Sequence, residues 1–213
     1  MSVWAIVVWA ALGVVVGAGL NSLARRVIEP TVSEAVRAAR TITASVTGVL
    51  HGLLAWRLAL WPELAAYSAL AAIGVLLAVI DVIEHRLPSR LIAVGYLLLL
   101  ALFGFAAVVR DNGAAMVRAA ASMGVVFVVY LVLAVATNGG LGAGDVKLAG
   151  LLGLALGWLS WSAVLAGIVV GLFYGAVAGA LLMALGKATP RSPIPLGPAM
   201  LAGAFTAVLS FGT

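Results

Sequence analysis

The stretch from Trp161 to Gly186, WSAVLAGIVVGLFYGAVAGALLMALG, runs without a single charged side chain. A membrane helix needs ~20 mainly apolar residues to cross ~30 Å of hydrocarbon, so this segment reads as a transmembrane span. Gly167, Gly171, Gly175 and Gly179 recur every four residues along it. They form a small-residue face for tight helix packing, within the chain or at an oligomer contact. Working outward between charges and prolines, seven further apolar runs emerge, at roughly 2–24, 41–60, 63–83, 90–109, 115–136, 145–159 and 197–212. The run at 41–60 is the weakest, because His51 and Arg57 interrupt it, and the run at 145–159 is short. The expectation is an all-α, polytopic integral membrane protein with about eight transmembrane helices.

Composition agrees. Of 213 residues, 65% are apolar and 9% are charged, where a soluble domain carries ~25% charge. The polar coat of a soluble protein is missing, which excludes soluble, disordered and disulfide-rich secreted classes. The sequence pI is near 10.2, yet the basic residues are scattered between apolar runs, a pattern that sets orientation in a bilayer rather than one that binds nucleic acid. Cysteine is absent, so neither a disulfide framework nor a thiolate metal site is expected. The first apolar run lacks a basic flank and reads as a span rather than a cleaved signal peptide.

With eight spans, Arg25, Arg26, Arg37, Arg40, Arg86, Arg90, Lys147, Lys187 and Arg191 fall on one side of the membrane. Arg57, Arg110 and Arg118 fall on the other. The excess makes the first side cytoplasmic and both termini external. Residues 25–40, with Glu29, Glu34, Arg37 and Arg40, read as a short mixed-charge connection on the cytoplasmic surface.

Two acids abut apolar spans on that same side. Asp81 lies in Val79-Ile80-Asp81-Val82-Ile83, and Asp145 follows Asn138-Gly139-Gly140-Leu141-Gly142-Ala143-Gly144. A carboxylate in a span is costly, ~2.5–3.5 kcal/mol at a helix centre, and two at one depth suggest a pair. Close carboxylates resist double ionisation, so one serves as acid while the other polarises a water. The plainer reading makes each Asp an interfacial cap or ion-pair member, Asp145 with Lys147 and Asp81 with Arg86. The glycines before Asp145 favour a site, since they permit close backbone approach. They suit a flexible helix start as well.

The Gly142-Ala143-Gly144-Asp145-Val146-Lys147-Leu148-Ala149 stretch resembles the Gly-x-Gly-Asp-x-Lys-Leu motif of the type IV prepilin peptidases, membrane aspartic proteases. Ile80-Asp81 followed by Leu87-Pro88 and Leu91 resembles the first catalytic motif of that family. Pro195-Leu196-Gly197-Pro198, continuing to Gly203-Ala204, is similar to its Pro-Phe-Gly-Pro element, and Gly13, Gly17, Leu20-Asn21 and Arg25 to its N-terminal Gly-x-x-x-Gly-Ser-Phe-Leu-Asn run. The resemblance implies Asp81 and Asp145 as the catalytic pair, supported by Gly142, Gly144, Lys147 and Pro88. It implies a multi-pass protein of the inner, cytoplasmic membrane. The substrate implied is a prepilin or pseudopilin with a basic leader and an apolar helix, cut at the cytoplasmic face for a type IV pilus or a secretion system. Lys147 would bias Asp145 or serve as an interfacial anchor. Membrane lipid and substrate are the expected partners; nucleic acid, cofactor and metal are not expected, and the oligomeric state is left open.

Departures from the family pattern qualify this. Bifunctional members also N-methylate the new terminus with S-adenosylmethionine, and many carry a cytoplasmic insert with two zinc-binding Cys-x-x-Cys pairs. Here residues 26–40 replace the insert without cysteine, and Ser89 stands where many relatives have Asp. Residues 1–60 then read as a two-span reduced counterpart of the methyltransferase part, and 61–213 as the peptidase core, within one structural unit. Two alternatives stay open: a bifunctional peptidase and N-methyltransferase, and a proton-coupled transporter using the two acids. Lone His85 and His51 complete no metal set, and the tryptophans read as interfacial anchors.

Overall fold

A computed structural model describes residues 2–24, 35, 38–58, 62–137, 141–186, 189 and 195–212. Eight helices follow one another: α1 (Val3–Ala24), α2 (Arg40–Arg57), α3 (Glu63–Glu84), α4 (Ser89–Val109), α5 (Gly113–Ala136), α6 (Ala143–Leu159), α7 (Trp161–Ala184) and α8 (Gly197–Phe211). No strand occurs among the described residues. The helices coincide with the eight apolar runs. Arg25, Arg26, Glu29, Glu34, Arg37, Lys187 and Arg191, which enter the orientation argument, lie outside the described residues, as do Asn138, Gly139 and Gly140.

Five of the helices, α1, α3, α4, α5 and α7, are long and apolar enough to cross a membrane. The 17 residues of α6 and the 15 of α8 rise only ~26 and ~22 Å at 1.5 Å per residue. A helix enclosed by protein need not match the full bilayer, since its neighbours rather than lipid meet its ends. Every residue of α6 from Leu148 to Trp158 is buried, and α3 is buried throughout Leu70–Leu77. The outer faces of α1, α4, α5 and α7 instead expose Val7, Val15, Leu97, Val128, Val132, Leu165 and Val169, as a lipid-facing surface should.

Apolar side chains gain little by leaving lipid, so packing and polar contacts must join the helices. Three glycines of α6 admit neighbours to its backbone. A side chain at Gly150 would strike the Tyr96 hydroxyl, one at Gly153 would meet the Ser122 carbonyl at 2.8 Å, and one at Gly157 would strike Ser122 Oγ. Through these openings donors reach α6 carbonyls. Tyr96 of α4 donates to Lys147 O at 2.8 Å, Ser122 of α5 to Gly153 O at 2.6 Å, and Tyr67 of α3 to Ala155 O at 2.8 Å. Arg118 of α5 donates to the terminal carbonyls of Gly157, Trp158 and Leu159, where a cation also suits the helix dipole. Phe103 stacks on Trp158 with centroids 4.9 Å apart and meets Tyr67 edge-on at 5.4 Å.

Trp158 is therefore a core residue, and Trp9 donates to Ser68 Oγ at 2.9 Å. Trp158 is not an interfacial anchor, since its ring is buried against Phe103 in the core. His51 is 3% exposed. It is wedged against Gly13 of α1, with its Nδ1 2.9 Å from Thr47 O, so it joins α2 to α1. The four-residue glycine face of α7 turns inward onto α8, and Gly171 lies against Met200 and Ala199.

Arg57 donates to the carbonyls of Leu209 and Ser210, and Arg110 pairs with Glu63 at 3.4 Å. A cavity lined by Leu58, Glu63, Asn112, Arg118, Trp158 and Phe211 brings these connections to one end of the bundle. Lys147, at the start of α6, lies at the other.

A side chain at Gly203 would strike Gly171 N and lie 2.6 Å from Gly167 O, both backbone atoms that cannot swing aside. Gly203→Ala should therefore destabilise the protein in detergent by ~1–3 kcal/mol. Gly124→Ala, with open space around it, should be neutral or stabilising by up to ~1 kcal/mol. Thermal unfolding of the two variants beside wild type checks both.

Candidate active site

Asp81 occupies the last turn of α3. The helix ends at His85, in the left-handed region with φ 52°, whose N–H donates to Asp81 O at 2.8 Å. A non-glycine residue there is uncommon and typical of helix ends and constrained sites. The chain then reverses through Leu87 to Pro88, which caps α4 with φ −65° and needs no amide proton. The reversal rests on the start of α6. A side chain at Gly144 would come within 2.7 Å of Leu87 Cβ and 3.3 Å of Leu87 O, so only glycine lets the two segments meet this closely.

Asp145 is the third residue of α6. Its Oδ2 accepts the Gly142 N–H at 3.1 Å, the acidic half of a capping box. Asp81 is 4% exposed, and its Oδ2 accepts the Gly197 N–H at 2.9 Å. Gly197 begins α8. Each carboxylate thus sits at a helix N-terminus, Asp145 at its own and Asp81 at that of α8, where free N–H groups and the dipole favour negative charge. The two carboxyls are near enough for the charge on Asp81 to act on Asp145. Tyr130 lies within reach of the Asp145 charge in the same way.

The cations go elsewhere. Lys147 Nζ donates to Ser89 Oγ at 2.7 Å, and Arg86 pairs with Glu84. Of the plainer reading, the Asp145–Lys147 and Asp81–Arg86 ion pairs do not form, while the helix-cap half holds, since each acid accepts an amide at a helix N-terminus. Lys147 points across to α4 because the third residue of the helix faces back to Gly142, while the fifth faces Ser89. Asp81, Asp145, Gly142, Gly144, Lys147 and Pro88 are brought together at one end of the bundle. Ser89, noted as a departure from the family pattern, joins them, and so do Gly197 and Tyr96, to which the sequence assigned no role. Gly197 stood inside a quoted motif, but nothing in the sequence indicated that its amide would meet a side chain 116 positions earlier. Among the described residues no group of three or more His, Asp or Glu side chains could hold a metal ion.

Residues 68–211 match the model of the type IV leader peptidase family. The chain belongs to that family. The matched segment begins inside α3 and ends with the last residue of α8, so it contains both carboxylates, the Leu87-Pro88 reversal and Gly197. The chain is also similar to the prepilin leader peptidase/N-methyltransferase of Bacillus subtilis (strain 168), 30% identical over 176 residues. That alignment covers 81% of this chain and 64% of the relative, so the chain spans less than two-thirds of the relative's length. No solved structure matches it significantly.

A side chain at Gly197 would lie 2.8 Å from Asp81 Oδ2 and 3.3 Å from its Cγ. Gly197→Ala must push the carboxyl off its amide, and any reaction that uses Asp81 should slow by ~10²-fold, the usual effect of an ångström-scale misplacement. Thermal unfolding read on the same preparation should stay close to wild type. A variant that reacts as fast as wild type would show that the Gly197 amide does not set the position of Asp81.

Proposed function

We propose that this chain is an aspartic endopeptidase that removes the basic leader from type IV prepilin-like or pseudopilin precursors at the cytoplasmic face of the inner membrane. The observation that carries the reading is the pairing of Asp81 and Asp145. Two carboxyls from separate helices lie within electrostatic reach of one another, and each accepts a backbone amide rather than a Lys or Arg side chain. Membership of the leader peptidase family supports the same conclusion.

In this reading a water between the carboxyls attacks the scissile carbonyl. One carboxylate takes a proton from the water while the other carboxyl protonates the carbonyl oxygen. Collapse of the tetrahedral intermediate transfers a proton to the leaving amine, and no covalent intermediate forms. The pair works as a unit, so acid and base are not assigned to individual residues. Gly142 supplies the amide that holds Asp145, Gly144 admits Leu87, and Pro88 fixes the reversal that keeps Asp81 beside α6. Lys147, held by Ser89, anchors the first turn of α6 to α4.

The cytoplasmic assignment rests on the basic residues. Arg40, Arg86, Arg90 and Lys147 belong to the end that holds the pair, and Arg57, Arg110 and Arg118 to the opposite end. A basic leader would then lie in the cytoplasm while the apolar helix after it stays in the bilayer. Residues 1–60 are proposed as the reduced counterpart of the methyltransferase part and 61–213 as the peptidase core, packed as one unit. The name of the Bacillus relative favours a second reading, in which the new N-terminus is also methylated.

The test is co-expression with a prepilin, comparing wild type with Asp81→Asn and Asp145→Asn by product mass. Wild type should cut, and each variant should lose at least ~10³-fold of the rate, as expected for members of one catalytic unit. Cutting that persists in both variants would overturn the mechanism. An added methyl group on the product would establish the second reading.

A further inference from the structure

Helices α5 and α7 pack on α6 and α8 rather than on one another, and a cleft runs between them. Its deeper part is lined by Val126 and Tyr130 of α5, Leu152 and Gly153 of α6, and Val164 and Gly167 of α7. Tyr130 and Met200 continue into a wider part of about 230 Å³, walled by Leu133 and Thr137 on one side and Gly171 and Leu172 on the other. From Ala149 to Leu156 along its floor the cleft extends ~10 Å, about two helical turns. Leu133 and Leu172 are half exposed at its mouth, on faces that otherwise carry lipid-facing valines and leucines.

The wider end adjoins the carboxylate pair from three directions. Leu196 precedes Gly197, whose amide holds Asp81. Leu141 precedes Gly142, whose amide holds Asp145. Tyr130 lies within the electrostatic reach of Asp145. A segment lying in the cleft would therefore deliver its backbone to the pair at that end. The walls carry no charge, so the segment must be apolar.

We infer that the α5–α7 cleft receives the apolar helix of the membrane-embedded precursor, entering sideways from the bilayer with its leader junction at Asp81 and Asp145. This rests on the peptidase reading and adds the surface that recognises the part of the substrate not removed. A lipid chain or a second copy of this chain would make different contacts, and the test separates them.

The experiment places a photo-cross-linking residue at Leu133, at Leu172, or at lipid-facing Leu97 of α4. Each is combined with Asp145→Asn, which should hold the precursor uncut, and co-expressed with a prepilin. The expected result is precursor adducts from 133 and 172, mapped to its apolar segment, and few from 97. In the otherwise wild-type enzyme, Leu172→Trp should raise KM for the precursor about tenfold with a smaller change in kcat. Adducts only to lipid, only to a second copy, or equally from all three positions would overturn the inference while wild-type cutting left the peptidase reading intact. Absence of cutting by wild type would overturn that reading, and this inference with it.

Discussion

The bundle depends on α6, a short glycine-bearing helix whose backbone carbonyls accept hydrogen bonds from three neighbours. In water, burial of apolar surface would hold such a helix in place. Between lipid and protein that driving force is weak, and van der Waals packing with polar contacts must take over. Gly150, Gly153 and Gly157 remove the side chains that would keep neighbours away. Tyr96, Ser122, Tyr67 and Arg118 then fasten α4, α5 and α3 to one axis. Asp145 sits at the top of that axis, so its position is set by contacts along the whole length of α6.

A second constraint brings Asp81 to it. The left-handed residue His85 ends α3, Pro88 starts α4, and the intervening Leu87 lands on Gly144. The N-terminus of α8 closes the arrangement from the far end of the sequence. Both carboxylates are stabilised by helix N-termini rather than by cations, which keeps them available. A carboxylate tied to Lys or Arg would be oriented as well, but less ready to exchange a proton.

Much of this was legible in the sequence. The eight helices follow the eight apolar runs because a membrane leaves few alternatives to a helix, and the two acids stood out because charge beside a span is rare. The depth of α6 was less visible. Its run is short and begins with Asp145 and Lys147, features that suit a marginal span as well as an enclosed helix. The partner of Lys147 was hidden too, since sequence proximity offered Asp145 while the folded chain offered Ser89. Local spacing reads helix faces well. It does not read which loop lies over the end of which helix.

Gly197 shows why such contacts escape a linear reading. Its role needs no side chain, only an amide free of a helical partner at the start of α8 and room for a carboxylate against it. Composition records it as one glycine among many. The nearby prolines announce a helix start, and a helix start announces free N–H groups, but the acid that uses them lies in another span. Glycine at 142 and glycine at 197 thus perform the same act for the two carboxyls. One lies three residues from its acid and one 116 residues away, and only the near one could be inferred before the fold was known.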